Sequence, residues 1–374
     1  MAKSLKIMLI AGEASGDILG ADLMKALASK YKPATFLGVG GEYMQKAGLE
    51  SLFEMSELSV MGLVEVLPYL PRLKKRVDEC VAFAAQEKPD VLVTIDSPDF
   101  TLRVAKKVKV QTGIPCVHMV SPSVWAWRRG RIKKMAGYLD HVLALFPFEP
   151  GLYAGSGLDC TFIGHPIYQR LEKYAPVRIT PPKPETIALL PGSRQTEIDR
   201  LAPVCRQVLD LVRQERPNVK AIVPLADKKH QSLISPYFAN ADGVNYVAGD
   251  KKFDEMKAAR LAIAASGTAN LELAMLGLPM LVMYKTNPLT AFIARKIVHI
   301  PYISPVNWVL GHKTIPEFLQ EEVEPTAMAR HALSLFNNEE EWKKQAKALK
   351  EVRGKLGSDI HPAERAAEIV STYL

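Results

Sequence analysis

Cysteine is scarce in this chain, with four in 374 residues: Cys80, Cys116, Cys160 and Cys205. They lie far apart and no Cys-x-x-Cys occurs. This excludes a zinc knuckle, a thioredoxin-type pair and a small disulfide scaffold, and it suits reduced thiols in a cytosolic protein. Long hydrophobic runs are also missing. The longest, Leu273–Tyr284, is interrupted by Pro279, whereas a membrane-spanning helix needs about 20 apolar residues. Ile7–Ala11 is short and soon meets Glu13, which reads as a buried strand and not an export signal. There is no internal repeat and no low-complexity tract. Acidic side chains are absent from residues 100–139, which carry nine cations, among them Arg103, Lys107, Arg128, Arg129 and Arg131. The whole chain has 48 Lys plus Arg against 40 Asp plus Glu, a net charge of +8. A basic block of this kind suits an anionic partner such as a nucleotide, a nucleic acid or an anionic lipid.

What is present is an ordinary globular composition, 48% hydrophobic and 24% charged, and enough chain for two domains of roughly 150 residues or more. Apolar runs at 6–11, 35–38, 91–95, 115–120 and 141–144 alternate with helix-like stretches at 18–30, 72–86 and 102–111. Short strands that are apolar throughout are expected of parallel sheets covered on both faces. Prolines at 176, 181, 182 and 184 interrupt the pattern, and it then restarts with strands at 187–190, 221–224, 261–265 and 280–284. The expected fold class is α/β: two doubly wound, Rossmann-like domains facing a cleft, followed by a helical tail from Pro325. The expected boundaries are 1–172 for the first domain, 173–185 for the linker and 186–344 for the second domain.

Ligands of such sheets bind beyond the carboxyl ends of the strands, so residues just after each strand are the candidates. Gly12-Glu13-Ala14-Ser15-Gly16-Asp17 follows the first strand. Its spacing fits neither a dinucleotide fingerprint nor a phosphate-binding Walker loop. Ser15 and Asp17 suit the N-cap of the next helix, and Glu13 would face the cleft. Asp96 stands at the end of a buried strand, where a carboxylate can serve as general base, and Asp99 suits a helix cap. Ser121-Pro122-Ser123-Val124-Trp125-Ala126-Trp127-Arg128 places aromatic rings beside cations, a combination fit for a sugar face or an anion. In the second half, Gly192, Ser193 and Arg194 form a turn with exposed amides and a forked cation. Ser266, Gly267 and Thr268 open a helix whose N-terminal amides favour phosphate. Glu272, one turn further, could accept hydrogen bonds from two ribose hydroxyls. Together these two elements describe a nucleoside diphosphate site with no metal ligands nearby. Residues 61–76 mix apolar and basic side chains in a way that suits a membrane interface.

The ordered motifs AGEASGD, MGLVEVL, DSPDF, SPSVWAWR, FPFE, GHP, LLPGSR, SGTANLE and PEFLQEE resemble those of the lipid-A-disaccharide synthases, from residue 8 to about 325. The resemblance implies a GT-B fold, with acceptor bound by the first domain and UDP-sugar by the second. It implies an inverting, metal-independent transfer with no cofactor. The donor would be UDP-2,3-diacylglucosamine and the acceptor 2,3-diacylglucosamine 1-phosphate, giving a β-1,6-linked disaccharide 1-phosphate and UDP.

Carried over by position, Asp96 becomes the catalytic base, with Glu13 the next candidate. Ser15, Gly16, Asp17, Trp127, Arg128 and Asn307 become substrate-binding. Gly192, Ser193, Arg194, Ser266, Gly267, Thr268 and Glu272 fall to the nucleotide. Ser304-Pro305-Val306-Asn307 departs from the family's Ser-Leu-Pro-Asn. The tail at 345–374 is expected to return to the first domain, and the protein to be cytoplasmic, peripheral on the anionic inner membrane. Two other readings remain: a UDP-sugar 2-epimerase of the same architecture, and a basic nucleic-acid-binding protein. The DSPDF and SPSVWAWR motifs speak against the first. The second leaves Arg194 and Glu272 unexplained, so no nucleic-acid partner is expected.

Overall fold

A computed structural model of the chain describes residues 5–58, 69–125, 130–297 and 300–374. The chain forms two compact units, residues 1–165 with 358–374, and residues 166–357. The first contains a seven-stranded parallel sheet: β1 (Leu5–Ala11), β2 (Ala34–Val39), β3 (Glu50–Ser51), β4 (Val91–Ile95), β5 (Cys116–Met119), β6 (His141–Ala144) and β7 (Asp159–Phe162), in the order β3-β2-β1-β4-β5-β6-β7. The second contains six parallel strands: β8 (Thr186–Leu190), β9 (Lys220–Pro224), β10 (Val244–Val247), β11 (Leu261–Ala265), β12 (Met280–Tyr284) and β13 (Glu317–Leu319), in the order β10-β9-β8-β11-β12-β13. Each sheet is doubly wound, and each reverses its strand order once, beside its first strand.

Strand alternation divides the first unit's apolar side chains between two layers. Ile7, Leu9 and Ala11 of β1 join Val91, Val93 and Ile95 of β4 under the helices Ala14–Lys30 and Pro362–Ser371. Met8, Ile10 and Leu92 face the opposite way, toward the helices Leu70–Glu87 and Pro98–Thr112. In the helix Leu70–Glu87 the buried residues are Val77, Cys80, Val81 and Ala84, the i, i+3, i+4, i+7 stripe of a helix packed on one face. The helix Pro98–Thr112 ends at Gly113, which takes a φ of 72°, the left-handed conformation glycine supplies at low cost. In the second unit the long helix Gln195–Glu215 buries Ile198, Leu201, Cys205, Val208 and Val212 in a core shared with Trp342 and Ala346.

The boundaries differ from the sequence expectation at both crossings. The first division comes after His165 and not after 172, and the return comes at Ser358 and not at 345. Prolines keep residues 175–185 free of helix and strand, but that stretch belongs to the second unit. Val177 is buried there, so tightly against Gly277 that a β-carbon at Gly277 would overlap its side chain. The helix Glu339–Leu356 stays with the second unit because Trp342 and Ala346 anchor it in that core. Only the helix Pro362–Ser371 joins the first, through Ala366, Ala367 and Val370.

Gly38 lies within β2 opposite Leu9 of β1, with a φ of 127°. A β-carbon there would overlap the Leu9 carbonyl oxygen, whereas one at Gly48 (φ 101°) would meet nothing within 4 Å. Gly48→Ala is expected to cost about 1–3 kcal/mol of strain, and Gly38→Ala clearly more, because a central strand pair must also part. Chemical denaturation of the two variants checks this. Equal losses would show that β2 shifts without resistance.

Candidate active site

In a doubly wound sheet the strand reversal opens a crevice at the carboxyl edge. In the first unit it falls between β1 and β4, so the loop after β1 and the loop after β4 must meet. They do so closely: a β-carbon at Gly12 would overlap the Ser97 side chain. Asp96 and Ser97 both adopt left-handed backbone, with φ of 54° and 43°. Two adjacent non-glycine residues held there carry roughly 1–3 kcal/mol of strain each, a feature concentrated at functional sites. Several bonds maintain it. The Asp96 amide donates to Met119 O at 3.0 Å. The buried Thr101 hydroxyl lies 2.6 Å from Asp96 O and 3.1 Å from Ser97 O.

The Asp96 carboxylate is fixed at both oxygens. Oδ1 accepts from the Ser97 amide at 2.8 Å, and Oδ2 accepts from Ser15 Oγ at 3.0 Å. Ser15 is exposed, Asp96 is half-buried, and half-buried Glu13 stands at the N-cap of the helix Ala14–Lys30. Ser15 thus joins the loop after β1 to Asp96 after β4, and Glu13 precedes Ser15 by two residues. On the next loop Trp125 packs edge-on to Phe148, with ring centroids 5.9 Å apart. Trp127 and Arg128 lie outside the described residues.

The second unit repeats the arrangement. Its reversal falls between β8 and β11, which places Pro191–Arg194 beside Ser266–Thr268. Gly192 has a φ of 113°, and a β-carbon there would come within 2.7 Å of Glu197. Ser193 and Arg194 are exposed at the start of the helix Gln195–Glu215. The Glu197 carboxylate takes the Ser193 amide at 3.2 Å and Arg194 Nη1 at 2.9 Å. Across the crevice, Ser266 Oγ donates to Ile303 O at 2.6 Å. Gly267 and Thr268 are exposed before the helix Ala269–Leu276. Fully buried Asn270 shapes the turn, accepting from the Gly267 amide at 3.1 Å and donating to Ala265 O at 3.0 Å. Glu272 pairs with Arg170, and its other oxygen lies 3.8 Å from Lys252 Nζ.

Comparison with known proteins identifies the family of the chain. The model of the family described as lipid-A-disaccharide synthetase matches residues 7–370. The lipid-A-disaccharide synthase of Gluconobacter oxydans is 41% identical, over 98% of this chain and 90% of its own. That of Geobacter metallireducens is 35% identical, over 100% and 98%. The chain belongs to the lipid-A-disaccharide synthase family. It is therefore a glycosyltransferase of lipid A disaccharide synthesis. Solved structures similar in fold include the UDP-GlcNAc 2-epimerase from Neisseria meningitidis bound to UDP-GlcNAc. Its TM-score is 0.61 at 13% identity, covering 98% of this chain and 99% of that one. The glycotransferase of kitacinnamycin has a TM-score of 0.60 at 14% identity, covering all of both chains. These place the architecture among GT-B proteins.

Three residues expected to bind substrate are otherwise engaged. Asp17 is buried within its helix and does not cap it. Its carboxylate accepts from the amides of Gly41, Tyr43 and Met44 at 2.8–3.0 Å, capping the neighbouring helix Glu42–Lys46. Gly16 is buried where a β-carbon would stand 3.2 Å from Ile95 O, so it lets the helix approach β4. Asn307 is fully buried. Its Nδ2 donates to Ile315 O and Glu317 Oε1, and its Oδ1 accepts from the amides of Thr314 and Ile315, at 2.8–3.0 Å. A side-chain amide has two donors and two acceptor sites, so none is left for a ligand. Pro305 is accommodated at the start of the helix Pro305–Leu310, with Ser304 as its N-cap. The basic block is also partly neutralised within the fold, through Lys107–Asp78, Lys109–Asp140 and Arg131–Asp99.

Glu317, Asn270, Thr101 and Glu149 escaped the reading of single residues. Glu317 accepts from the amides of Ile303 and Ser304 at 3.0 and 2.8 Å. Glu149, at the end of FPFE, is 2% exposed and accepts from the Phe146 amide at 2.9 Å. Burial pushes its carboxyl up to about 7, against smaller opposing effects of the Phe146 amide, Ser121 and Trp125. The raised value means the folded chain holds this proton more tightly than the unfolded one. Stability is then highest below the ordinary glutamate value of 4.5, falls as pH rises, and levels off above about 7. The fall should amount to roughly 3 kcal/mol. Glu149→Gln should remove that slope, and denaturation curves between pH 4.5 and 8 measure it. An unchanged slope in the variant would assign it to another group.

Proposed function

We propose that the chain transfers a 2,3-diacylglucosamine from UDP to the 6-hydroxyl of 2,3-diacylglucosamine 1-phosphate, with inversion. The products are the β-1,6-linked disaccharide 1-phosphate and UDP. The observation that carries this reading is the Asp96 carboxylate, held on strained backbone at a strand-reversal crevice by Ser15 and the Ser97 amide. In the reaction the acceptor oxygen attacks the anomeric carbon as its proton passes to Asp96. The bond from that carbon to the UDP oxygen breaks, and its electron pair leaves with UDP. General-base assistance of this kind contributes about 10²–10⁴-fold.

The leaving diphosphate gains charge, which preorganised donors stabilise. In this reading the donors are the Ser193 and Thr268 amides and the Arg194 guanidinium, while the Gly267 amide is already taken by Asn270 Oδ1. Glu197 holds two of them until the diphosphate arrives. A surface ion pair is worth only about 0–1 kcal/mol, so this exchange is easily made. Glu272 receives the ribose hydroxyls, and Glu13 lies close enough in sequence to Ser15 to contact the reacting sugars.

Among the described residues no helix is long and apolar enough to cross a membrane. Both substrates nevertheless carry acyl chains, so the reading includes peripheral attachment to the anionic face of the inner membrane. Residues 61–68 of the segment assigned to this role lie outside the described residues. Its continuation supports it: Tyr69 and Leu70 are each 44% exposed, and Arg72, Lys74 and Lys75 follow on the same helix.

Incubation with UDP-2,3-diacylglucosamine and 2,3-diacylglucosamine 1-phosphate should yield disaccharide and UDP in equal amounts. Asp96→Asn should cut turnover about 10²–10⁴-fold with UDP affinity unchanged. Activity within a few-fold of wild type would move the base elsewhere, Glu13 first. Leu70→Ser with Arg72→Ser should reduce binding to vesicles containing anionic lipid while the fold persists, since both residues are exposed. Undiminished sedimentation with vesicles would remove this helix from the membrane contact.

A further inference from the structure

We propose that Arg170 and Lys252 are positioning residues that orient the Glu272 carboxylate, and that they thereby set a preference for ribonucleotides over deoxyribonucleotides. The inference rests on the reading of Glu272 as the ribose acceptor. A glutamate side chain has three rotatable bonds, and a free one would sample many directions. Here each carboxylate oxygen is claimed by a different element. Oε1 accepts from Arg170 Nη2, at the end of the helix Pro166–Arg170. Oε2 lies 3.8 Å from Lys252 Nζ, near the start of the helix Lys251–Ala258.

The two cations are themselves held. Lys252 Nζ and the Arg170 guanidinium lie 4.8 and 5.8 Å from the ring centroid of buried Phe253, and Tyr174 packs on that ring at 5.9 Å. Cations against an aromatic ring gain electrostatic attraction, and the Lys252 side chain is only 17% exposed. The Glu272 side chain is 15% exposed, so it is not sealed from solvent. A carboxylate oxygen has two acceptor sites, which leaves each oxygen one for a sugar hydroxyl. The cations thus fix the direction of the carboxylate without blocking it.

The test is calorimetry on the full chain with UDP, 2′-deoxy-UDP and UMP. Wild type should bind UDP more tightly than 2′-deoxy-UDP by on the order of tenfold, as a hydrogen bond to a charged acceptor implies. Glu272→Ala should abolish that preference. Arg170→Ala with Lys252→Met should lose most of it while the UDP-to-UMP ratio stays at the wild-type value, and Arg170→Lys should retain part. Each single substitution is measured too, so a double variant that fails to fold does not end the test. If these variants keep the wild-type preference for UDP over 2′-deoxy-UDP, the proposal is overturned. It is overturned equally if the UDP-to-UMP ratio collapses, because the cations would then be phosphate ligands. If Glu272→Ala itself keeps the preference, the ribose reading has failed and takes the proposal with it.

Discussion

Parallel pairing governs everything else in this molecule. A parallel strand must be followed by a crossover before the chain can return, so every strand in a sheet points its carboxyl end to the same edge. Where the order reverses, the two flanking crossovers run to opposite faces and the loops at their start are left facing each other. β1 and β4 create that situation in the first unit, and β8 and β11 in the second. Two adjacent left-handed non-glycine residues, Asp96 and Ser97, fall on one of those four loops. Glycine at 12 and left-handed backbone at Asp96 and Ser97 answer one steric problem, two loops brought into one space, and Gly192 makes room for Glu197 of the helix that follows it.

The sequence made the central strands legible and the edges illegible, for a physical reason. Strands flanked on both sides, such as β1, β4 and β11, are apolar along most of their length and stand out as runs. The strands at the sheet margins are β3, β7, β10 and β13. They are short and half-exposed, with patterns such as Asp159-Cys160-Thr161-Phe162, and they offer no run to recognise. Proline was informative about local conformation but not about partition. The stretch at 175–185 is irregular, as its prolines require, yet Val177 packs with the second unit.

Functional residues divided in a similar way. Those proposed to act from a strand-end loop, such as Asp96, Arg194 and Thr268, announce themselves through position. Those that act through distant contacts do not. Nothing near Asp17 signals that its carboxylate caps a helix more than twenty residues away, and nothing near Asn307 signals that the 314–317 turn consumes both ends of its amide. Glu272 meets Arg170 across 102 positions of chain. Buried polar groups must be paired to be tolerated, and the partners are a property of the fold rather than of the neighbourhood in sequence.

The excursion of residues 358–374 back to the first unit has a bearing on how the molecule is made. Ala366, Ala367 and Val370 complete a core layer whose other members include residues of β1, β4, β5 and the helix Ala14–Lys30, and the Tyr373 hydroxyl reaches His141 Nδ1 of β6 at 3.0 Å. A ribosome delivers those earlier strands long before it delivers their cover. At typical elongation speeds the interval is on the order of ten seconds or more, during which the second unit is synthesised whole. Throughout it, the part of that layer that Ala366, Ala367 and Val370 cover lacks its cover, although the helix Ala14–Lys30 is already in place. Translation order therefore makes the second unit the first to finish, and leaves the nascent chain a client for any chaperone that shields exposed sheet faces.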